Sequence, residues 1–437
     1  MEDLAGYRGS ALKFLKKAKA SVGDIVEVET DWGNVTGTVV PRYTSGDDSH
    51  IVLKLASGYN IGLEVPKLKA ARIKAKGERP AFNPPPVPEP RGGLPRVLVL
   101  GTGGTIASRI DYRTGAVTPA VSAEELHALI PELSDIAKIE PEILFNVFSE
   151  NVKPSHWSTL ARRIRKAVEE GFNGVVVTHG TDTLGYTSAA LSFALEKVPI
   201  PVLVVGAQRS SDRPSSDATL NLIGGVSVAA SAGFAGVYVA MHADESDEKI
   251  AIHRGTRVRK SHTSRRDAFQ SVGVPLAAVW GRDGIELVDG GLPPRGAPGF
   301  SPRVEFDERV SLLKFYPSMP VSLIEAAARA GSRGIVIEGT GLGHTNKECG
   351  KALGHFVKGG GVAFMTSQCV NGSVDLNVYE TGRDLLQEGV VPLGDMLAET
   401  ALVKAMWALG NSSSTAEAKR LMTESIAGEI TTRRFPG

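Results

Sequence analysis

Two cysteines in 437 residues, Cys349 and Cys369, exclude a disulfide scaffold and a C-x-x-C metal or redox pair. No run of eighteen apolar residues exists, so nothing in the sequence reads as a membrane-spanning helix. The nine histidines include no H-E-x-x-H zinc signature. No glycine-rich loop ends in Gly-Lys-Ser/Thr, so no P-loop for ATP is encoded. Net charge is nearly absent, with 49 basic residues against 48 acidic ones. A chain this neutral is not a bulk polyanion binder, although local basic stripes can still touch nucleic acid. The first twenty residues are lysine-rich and amphipathic, without the apolar stretch of a secretion signal. The cytoplasm is therefore the expected compartment.

What is present is enough apolar residue, 42% of the chain, for two or three packed domains. Residues 4 to 20 carry Leu4, Ala11, Leu12, Leu15 and Ala18 near helical period. Short β-branched stretches follow at Asp24–Thr30, Val35–Tyr43, Ile51–Leu55 and Tyr59–Val65. Turn residues separate them, which predicts a small SH3-like or Sm-like β-barrel. Seven prolines between Pro80 and Pro95 read as an extended spacer. The expected organisation is a helix and barrel over 1–78 and a proline-rich linker over 79–95. Two α/β domains follow, at 96–300 and 301–437.

From Arg96 onward strands alternate with helices. Strands are expected at Val97–Leu100, Ile143–Phe148, Val175–Thr178, Val202–Val205 and Val237–Met241. Helices are expected at Ser122–Leu129, Ser155–Glu170 and Thr187–Leu195. This alternation predicts a mainly parallel, doubly wound sheet. The second α/β unit has strands at Val310–Lys314, Gly334–Glu338 and Val362–Met365. Its last helices are expected at Met396–Leu409 and Ala416–Ser425.

Two loops follow buried strands. Gly101-Thr102-Gly103-Gly104-Thr105-Ile106-Ala107-Ser108 comes after Val97–Leu100, and His179-Gly180-Thr181-Asp182-Thr183 after Val175–Thr178. Ligands of open α/β sheets bind outside the carboxyl ends of the strands. The first loop has Ile106 where a G-x-G-x-x-G dinucleotide loop needs glycine. What remains is a glycine-rich turn exposing one hydroxyl and a loop supplying a second hydroxyl and a carboxylate. Amide hydrolysis by a hydroxyl needs a nucleophile, a proton acceptor and donors for the oxyanion. A threonine at position 105 also suits the cap of a following helix.

Together, in this order, the two loops resemble the signature loops of the type I/II L-asparaginases. The resemblance covers about residues 96–437 and implies a two-domain asparaginase-like α/β fold. It implies that Thr105 is the nucleophile and that Thr181 and Asp182 form a catalytic set with Lys260. Lys260 opens the pattern Lys-x-x-Thr-x-x-x-Asp-x-Phe, ending at Asp267-Ala268-Phe269. A lysine acts as a base only when its pKa is lowered, and Arg254, Arg257, Arg259, Arg265 and Arg266 surround it in sequence. The resemblance further implies that Asp182 binds the substrate's α-amino group and Ser149 its α-carboxylate. Glu150 and Gly104 are expected beside the substrate. Many asparaginases carry a tyrosine in the loop after the first motif. Here the matching place is Ala116, and Tyr112 is the candidate substitute. Glu338-Gly339-Thr340-Gly341-Leu342-Gly343-His344 is either a second substrate-facing loop, as in that family, or a plain turn.

An asparaginase-like body behind a barrel and a proline linker is similar to the D-subunit family of archaeal glutamyl-tRNA(Gln) amidotransferases. That likeness implies ammonia release from L-glutamine or L-asparagine, with no cofactor in the chain itself. A partner, the E subunit, would use ATP and Mg and provide most contacts to Glu-tRNA(Gln). A homodimer within a heterotetramer, away from any membrane, is expected. Two other readings remain open: a free-standing asparaginase or glutaminase, and a non-enzymatic amino-acid-binding protein.

Overall fold

A computed structural model describes residues 4, 6–40, 42, 47–56, 59–77, 93–103, 108–111, 116–119, 130–209 and 215–431. The chain divides into two units, Met1–Pro85 with Ser108–Thr118, and the remainder. Thr105, Gly104, Tyr112, most of the proline segment and the helix expected at Ser122–Leu129 lie outside the described residues.

In the first unit, helix Gly9–Lys17 buries Ala11 and Leu15 against a five-stranded antiparallel sheet. Its strands are β1 (Ile25–Thr30), β2 (Gly33–Val39), β3 (His50–Lys54), β4 (Asn60–Glu64) and β5 (Leu68–Ala75), in the order β4-β3-β2-β1-β5. Inward residues Val26, Val28, Val39, Ile51, Leu53 and Leu63 alternate with outward polar ones. The Tyr7 hydroxyl ties the helix's entrance to the sheet, donating to the Val40 carbonyl at 2.7 Å and accepting from the Val52 N–H at 3.1 Å. β5 does not stand out in sequence. It is an edge strand of alanines and lysines, too weakly apolar to resemble a buried strand. Basic residues near it pair within the same unit: Lys67 meets Glu64 at 2.7 Å, Lys74 meets Glu27 at 3.1 Å and Lys76 meets Asp24 at 2.9 Å. A two-stranded ribbon, β7 (Ser108–Asp111) and β8 (Ala116–Pro119), falls in the same unit up to Thr118.

The second unit is built on an eight-stranded sheet. Five strands run parallel: β6 (Arg96–Gly101), β9 (Lys138–Ile143), β10 (Gly174–Thr178), β11 (Pro201–Val205) and β12 (Gly236–His242). Three antiparallel strands extend it beyond β12, namely β13 (Ile250–Arg254), β16 (Ala278–Gly281) and β17 (Gly284–Leu287). β10 and β11 are buried along their whole length, which explains their unbroken valine runs. The strand expected at 143–148 ends at Ile143. Pro141 is tolerated because β9 lies at the sheet's edge, and residues 144–148 instead form its exit, with the Leu144 N–H bonded to Gly101 O at 2.9 Å. The stretch 242–260, loop-like in sequence, contains β13 and the start of a separate ribbon, β14 (Val258–Lys260) with β15 (Phe269–Ser271). Its alternation is masked because His253 and Arg257 are polar yet buried.

The C-terminal half is a parallel sheet, β18 (Val310–Lys314), β19 (Gly334–Gly339), β20 (Val362–Ser367) and β21 (Val391–Pro392), with flanking helices. Helix Ala398–Gly410 packs against helix Leu184–Ala194 of the other half, and Trp157, Phe193 and Trp407 share one core with Val336 and Phe364. Helix Leu184–Ala194 is apolar on nearly every side, so it carries little amphipathic signal. The closing segment is pinned by a buried ion pair. Lys404 and Glu429 are both fully buried and in contact, and Glu429 also accepts the Ala427 N–H at 2.7 Å. Burial depresses the Lys404 pKa, with the acidic partners acting against it.

Removing one partner of such a pair strands the other charge, at about 3–5 kcal/mol. Lys404→Met is expected to lower urea-unfolding stability by that amount. Adding Glu429→Gln should recover most of it, because the amide oxygen still accepts from the Ala427 N–H. A single variant as stable as the parent protein would contradict this.

Candidate active site

Three strand exits meet at the carboxyl end of the large sheet. After β6, the Thr102 hydroxyl donates to Thr178 O at 2.8 Å, and the Val147 N–H donates to Thr102 O at 3.2 Å. Gly103 has φ +113, and a Cβ there would lie 2.3 Å from Val147 O. Only glycine fits this combination of backbone and neighbour. The chain is thus forced past the β9 exit just before Gly104 and Thr105.

The β9 exit ends in a single 3₁₀ turn, Ser149–Asn151. The Ser149 side chain is buried, while Glu150 is exposed. The β10 exit packs directly on this turn. A Cβ at Gly180 would lie 2.8 Å from Ser149 Cβ, and the Thr183 hydroxyl donates to Ser149 O at 2.6 Å. The expected carboxylate-binding serine and the Thr181-Asp182 loop are therefore brought together.

Lys260 ends β14, where the backbone pairs with Phe269 of β15. Its Nζ donates to Thr181 Oγ1 at 2.9 Å and to Asp182 Oδ1 at 2.7 Å. The lysine side chain is 17% exposed and the aspartate 71%. An ion pair this open contributes little to stability. Its significance is geometric: one nitrogen bridges a hydroxyl and a carboxylate on consecutive residues. The second oxygen of Asp182 has no hydrogen-bond partner among the described residues.

The arginines around Lys260 do not crowd it as free charges. Arg254 is paired with Asp289, Arg257 with Asp395, Arg259 with Glu399, Arg265 with Asp267 and Arg266 with Asp247. Chain proximity could not reveal these partners, since four of the five are more than fifteen residues away.

The most buried of them builds the site. Arg257 has no exposed surface. Its guanidinium donates to Asp395 O at 2.7 Å, Asp395 Oδ2 at 2.5 Å and Gly428 O at 3.2 Å. Burial would raise the Asp395 carboxyl, but the Thr431 and Arg257 donors outweigh it and hold the pKa below the usual carboxylate range. The Thr256 hydroxyl donates to Ala427 O at 3.0 Å, and Thr256 O accepts from Thr400 Oγ1 at 2.9 Å. The strand bearing Lys260 is thus anchored to the C-terminal half. In sequence, Arg257 reads as one more crowding charge and Asp395 has no role. The signal was an arginine between Thr256 and Val258 with no acid nearby in sequence.

The Gly339–Gly343 loop closes on itself through Thr340 N–H to His344 O at 2.9 Å. At Gly343 (φ +103) a Cβ would meet Met365 and Val374 at 2.8 Å, so packing alone requires that glycine. Among the described residues, no group of three or more His, Cys, Asp or Glu is placed to hold a metal ion. No described helix is long and apolar enough to cross a membrane.

These features are those of an asparaginase-type body. Family models agree: Asparaginase, N-terminal, matches residues 96–289 and the Glutaminase/Asparaginase C-terminal domain matches 309–422. The L-asparaginase structure from Thermococcus kodakarensis aligns at TM-score 0.69 and 37% identity, over 77% of this chain and all of that one. L-asparaginase I from Vibrio cholerae aligns at TM-score 0.68 and 26% identity, over 77% and 99%. The GatD N-terminal domain matches residues 20–73. Over nearly the whole length, the chain is 48% identical to the D subunit of the glutamyl-tRNA(Gln) amidotransferase of Metallosphaera sedula, covering 98% of this chain and 97% of that one. It is 47% identical to the D subunit from Pyrococcus furiosus, covering 96% and 97%. The chain belongs to the D-subunit family of glutamyl-tRNA(Gln) amidotransferases.

If Lys260 moves protons, a guanidinium cannot replace it. Lys260→Arg and Lys260→Ala should both cut amide hydrolysis by roughly 10³-fold or more while leaving the fold intact. A mostly active arginine variant would mean that only positive charge is required.

Proposed function

We propose that this chain is the amide-hydrolysing component of a cytoplasmic glutamyl-tRNA(Gln) amidotransferase. It releases ammonia from glutamine or asparagine through an ester on Thr105. The Thr105 hydroxyl adds to the side-chain amide carbon, and collapse of that adduct breaks the C–N bond. Ammonia leaves carrying the hydroxyl's proton, and water then cleaves the ester to give the free amino acid. The bridge from Lys260 to Thr181 and Asp182 is the observation that carries the proposal. It forms a path along which a proton can pass between hydroxyl, amine and carboxylate.

The unbridged oxygen of Asp182 is available for the substrate's α-amino group. Ser149 would receive the α-carboxylate, with Glu150 and Gly104 as further candidate substrate contacts. Tyr112 is a candidate auxiliary. The added methylene of glutamine changes binding by only about 1–3 kcal/mol, so both amides are candidate substrates. Relatives named as amidotransferase components support a partner, the E subunit, that spends ATP with Mg, activates Glu-tRNA(Gln) and consumes the ammonia. A homodimer paired with two partners is the proposed assembly.

Ammonia released from glutamine, measured with and without the E subunit, Glu-tRNA(Gln) and ATP, tests this reading. A rise of about tenfold or more with the complex supports a gated hydrolase, in which partner binding completes the site. Equal rates would favour a free-standing amidohydrolase. Thr105→Val keeps the side-chain shape and removes the hydroxyl. It should abolish hydrolysis in both preparations without lowering the melting temperature by more than a few degrees. Near-normal turnover would end the nucleophile assignment.

A further inference from the structure

His179 opens the loop that holds Thr181 and Asp182, yet its own side chain is buried in the protein. It is 1% exposed, and Thr187 and Trp157 beside it are 0% and 6% exposed. Its Nδ1 lies 2.7 Å from Gly180 O, and its Nε2 lies 2.9 Å from Thr187 Oγ1. The Trp157 indole N–H donates to the same Thr187 oxygen at 3.0 Å.

The direction of each bond follows from what each group can do. The indole nitrogen only donates, so Thr187 Oγ1 accepts from it. The Gly180 carbonyl only accepts, so His179 Nδ1 carries a hydrogen. Burial pushes the His179 pKa down to about 4, although its bond to Gly180 acts the other way. The ring is therefore neutral near pH 7, and Nε2 is a bare acceptor. The Thr187 hydroxyl hydrogen must point to it. One consistent arrangement remains: Trp157 to Thr187 to His179 to the Gly180 carbonyl.

That carbonyl belongs to the peptide joining Gly180 to Thr181. The peptide is planar, so holding its oxygen sets the direction in which Thr181 leaves the strand. On the other side, Gly180 is pressed against Ser149 with no room for a Cβ. Thr181 Oγ1 and Asp182 Oδ1 must stay within 2.9 Å and 2.7 Å of one nitrogen. A rotation of this peptide would break both contacts.

We propose that Trp157, Thr187 and His179 form a one-way hydrogen-bond relay that positions the catalytic loop by fixing His179 as its Nδ1–H tautomer. His179 is a positioning residue here, because both of its ring nitrogens are taken up by Gly180 and Thr187. The inference rests on the roles proposed for Thr181, Asp182 and Lys260.

Two pairs of variants in the full-length chain test it, with glutamine hydrolysis measured in the complex. An asparagine amide can place its N–H near the former Nδ1, whereas a glutamine amide reaches toward the former Nε2. His179→Asn should retain at least about tenfold more kcat/KM than His179→Gln. Thr187→Val should lose about tenfold or more, and Thr187→Ser should stay within about threefold, because only the hydroxyl is needed. Nitrogen-15 NMR of labelled histidine supplies a readout independent of turnover. The native chain should show His179 as neutral Nδ1–H from pH 6 to 8, and Thr187→Val should mix the tautomers. Equal activity of the two His179 variants overturns the relay. So does an unaffected Thr187→Val protein, or a native His179 that is charged or Nε2–H at pH 7. Lys260→Ala, assayed alongside, separates the two claims. Full activity there would remove the catalytic reading itself, whereas its loss with normal Thr187→Val activity would remove only the relay.

Discussion

The site depends on one buried guanidinium. Arg257 lies three residues before Lys260 and binds Asp395 and Gly428 in the C-terminal half. Breaking a buried pair of this kind costs several kcal/mol, because the remaining charge is left without water or partner. The strand carrying the lysine is therefore held by the second half of the body, while its partners Thr181 and Asp182 stand on the first. The bridge from Lys260 to Thr181 and Asp182 therefore joins a strand held by the second half to a loop of the first. The docking of the halves is itself strong, since Trp157, Phe193 and Trp407 lie in one shared core.

Around that guanidinium, charge is matched pair by pair. Each of the five arginines near Lys260 has a carboxylate, and the N-terminal unit's lysines at positions 67, 74 and 76 do as well. The even count of 49 basic and 48 acidic residues is thus matched locally at these places.

Much of this was legible in the sequence. Valine runs announced the buried parallel strands, and the second half's strands at 310–314, 334–338 and 362–365 required only small extensions. The two threonine loops and Lys260 could be named because each carries a local pattern. Elsewhere the pattern was absent for physical reasons. β5 is an edge strand rich in alanine, lysine and arginine, with only Leu68 and Ile73 as large apolar residues, and never looks buried. β13 places a histidine inward, and Arg257 hides a charge beside small residues. Helix Leu184–Ala194 was expected from Thr187, and it begins three residues earlier because, surrounded by protein, it has no polar face to mark its start. The arginine partners lie mostly far along the chain, so sequence suggested crowding where the structure has pairs. His179 was visible as a motif residue, but its inward direction follows only from the placement of Thr187 and Trp157.

The proposed chemistry requires an ester on Thr105, formed with help from Lys260. Labelling with an electrophilic glutamine analogue, followed by peptide mapping in a mass spectrometer, tests it. A single adduct is expected on the peptide containing Thr105, formed at a rate that collapses in Lys260→Ala. An adduct on Thr181 or elsewhere, or an unchanged rate in the lysine variant, would contradict it.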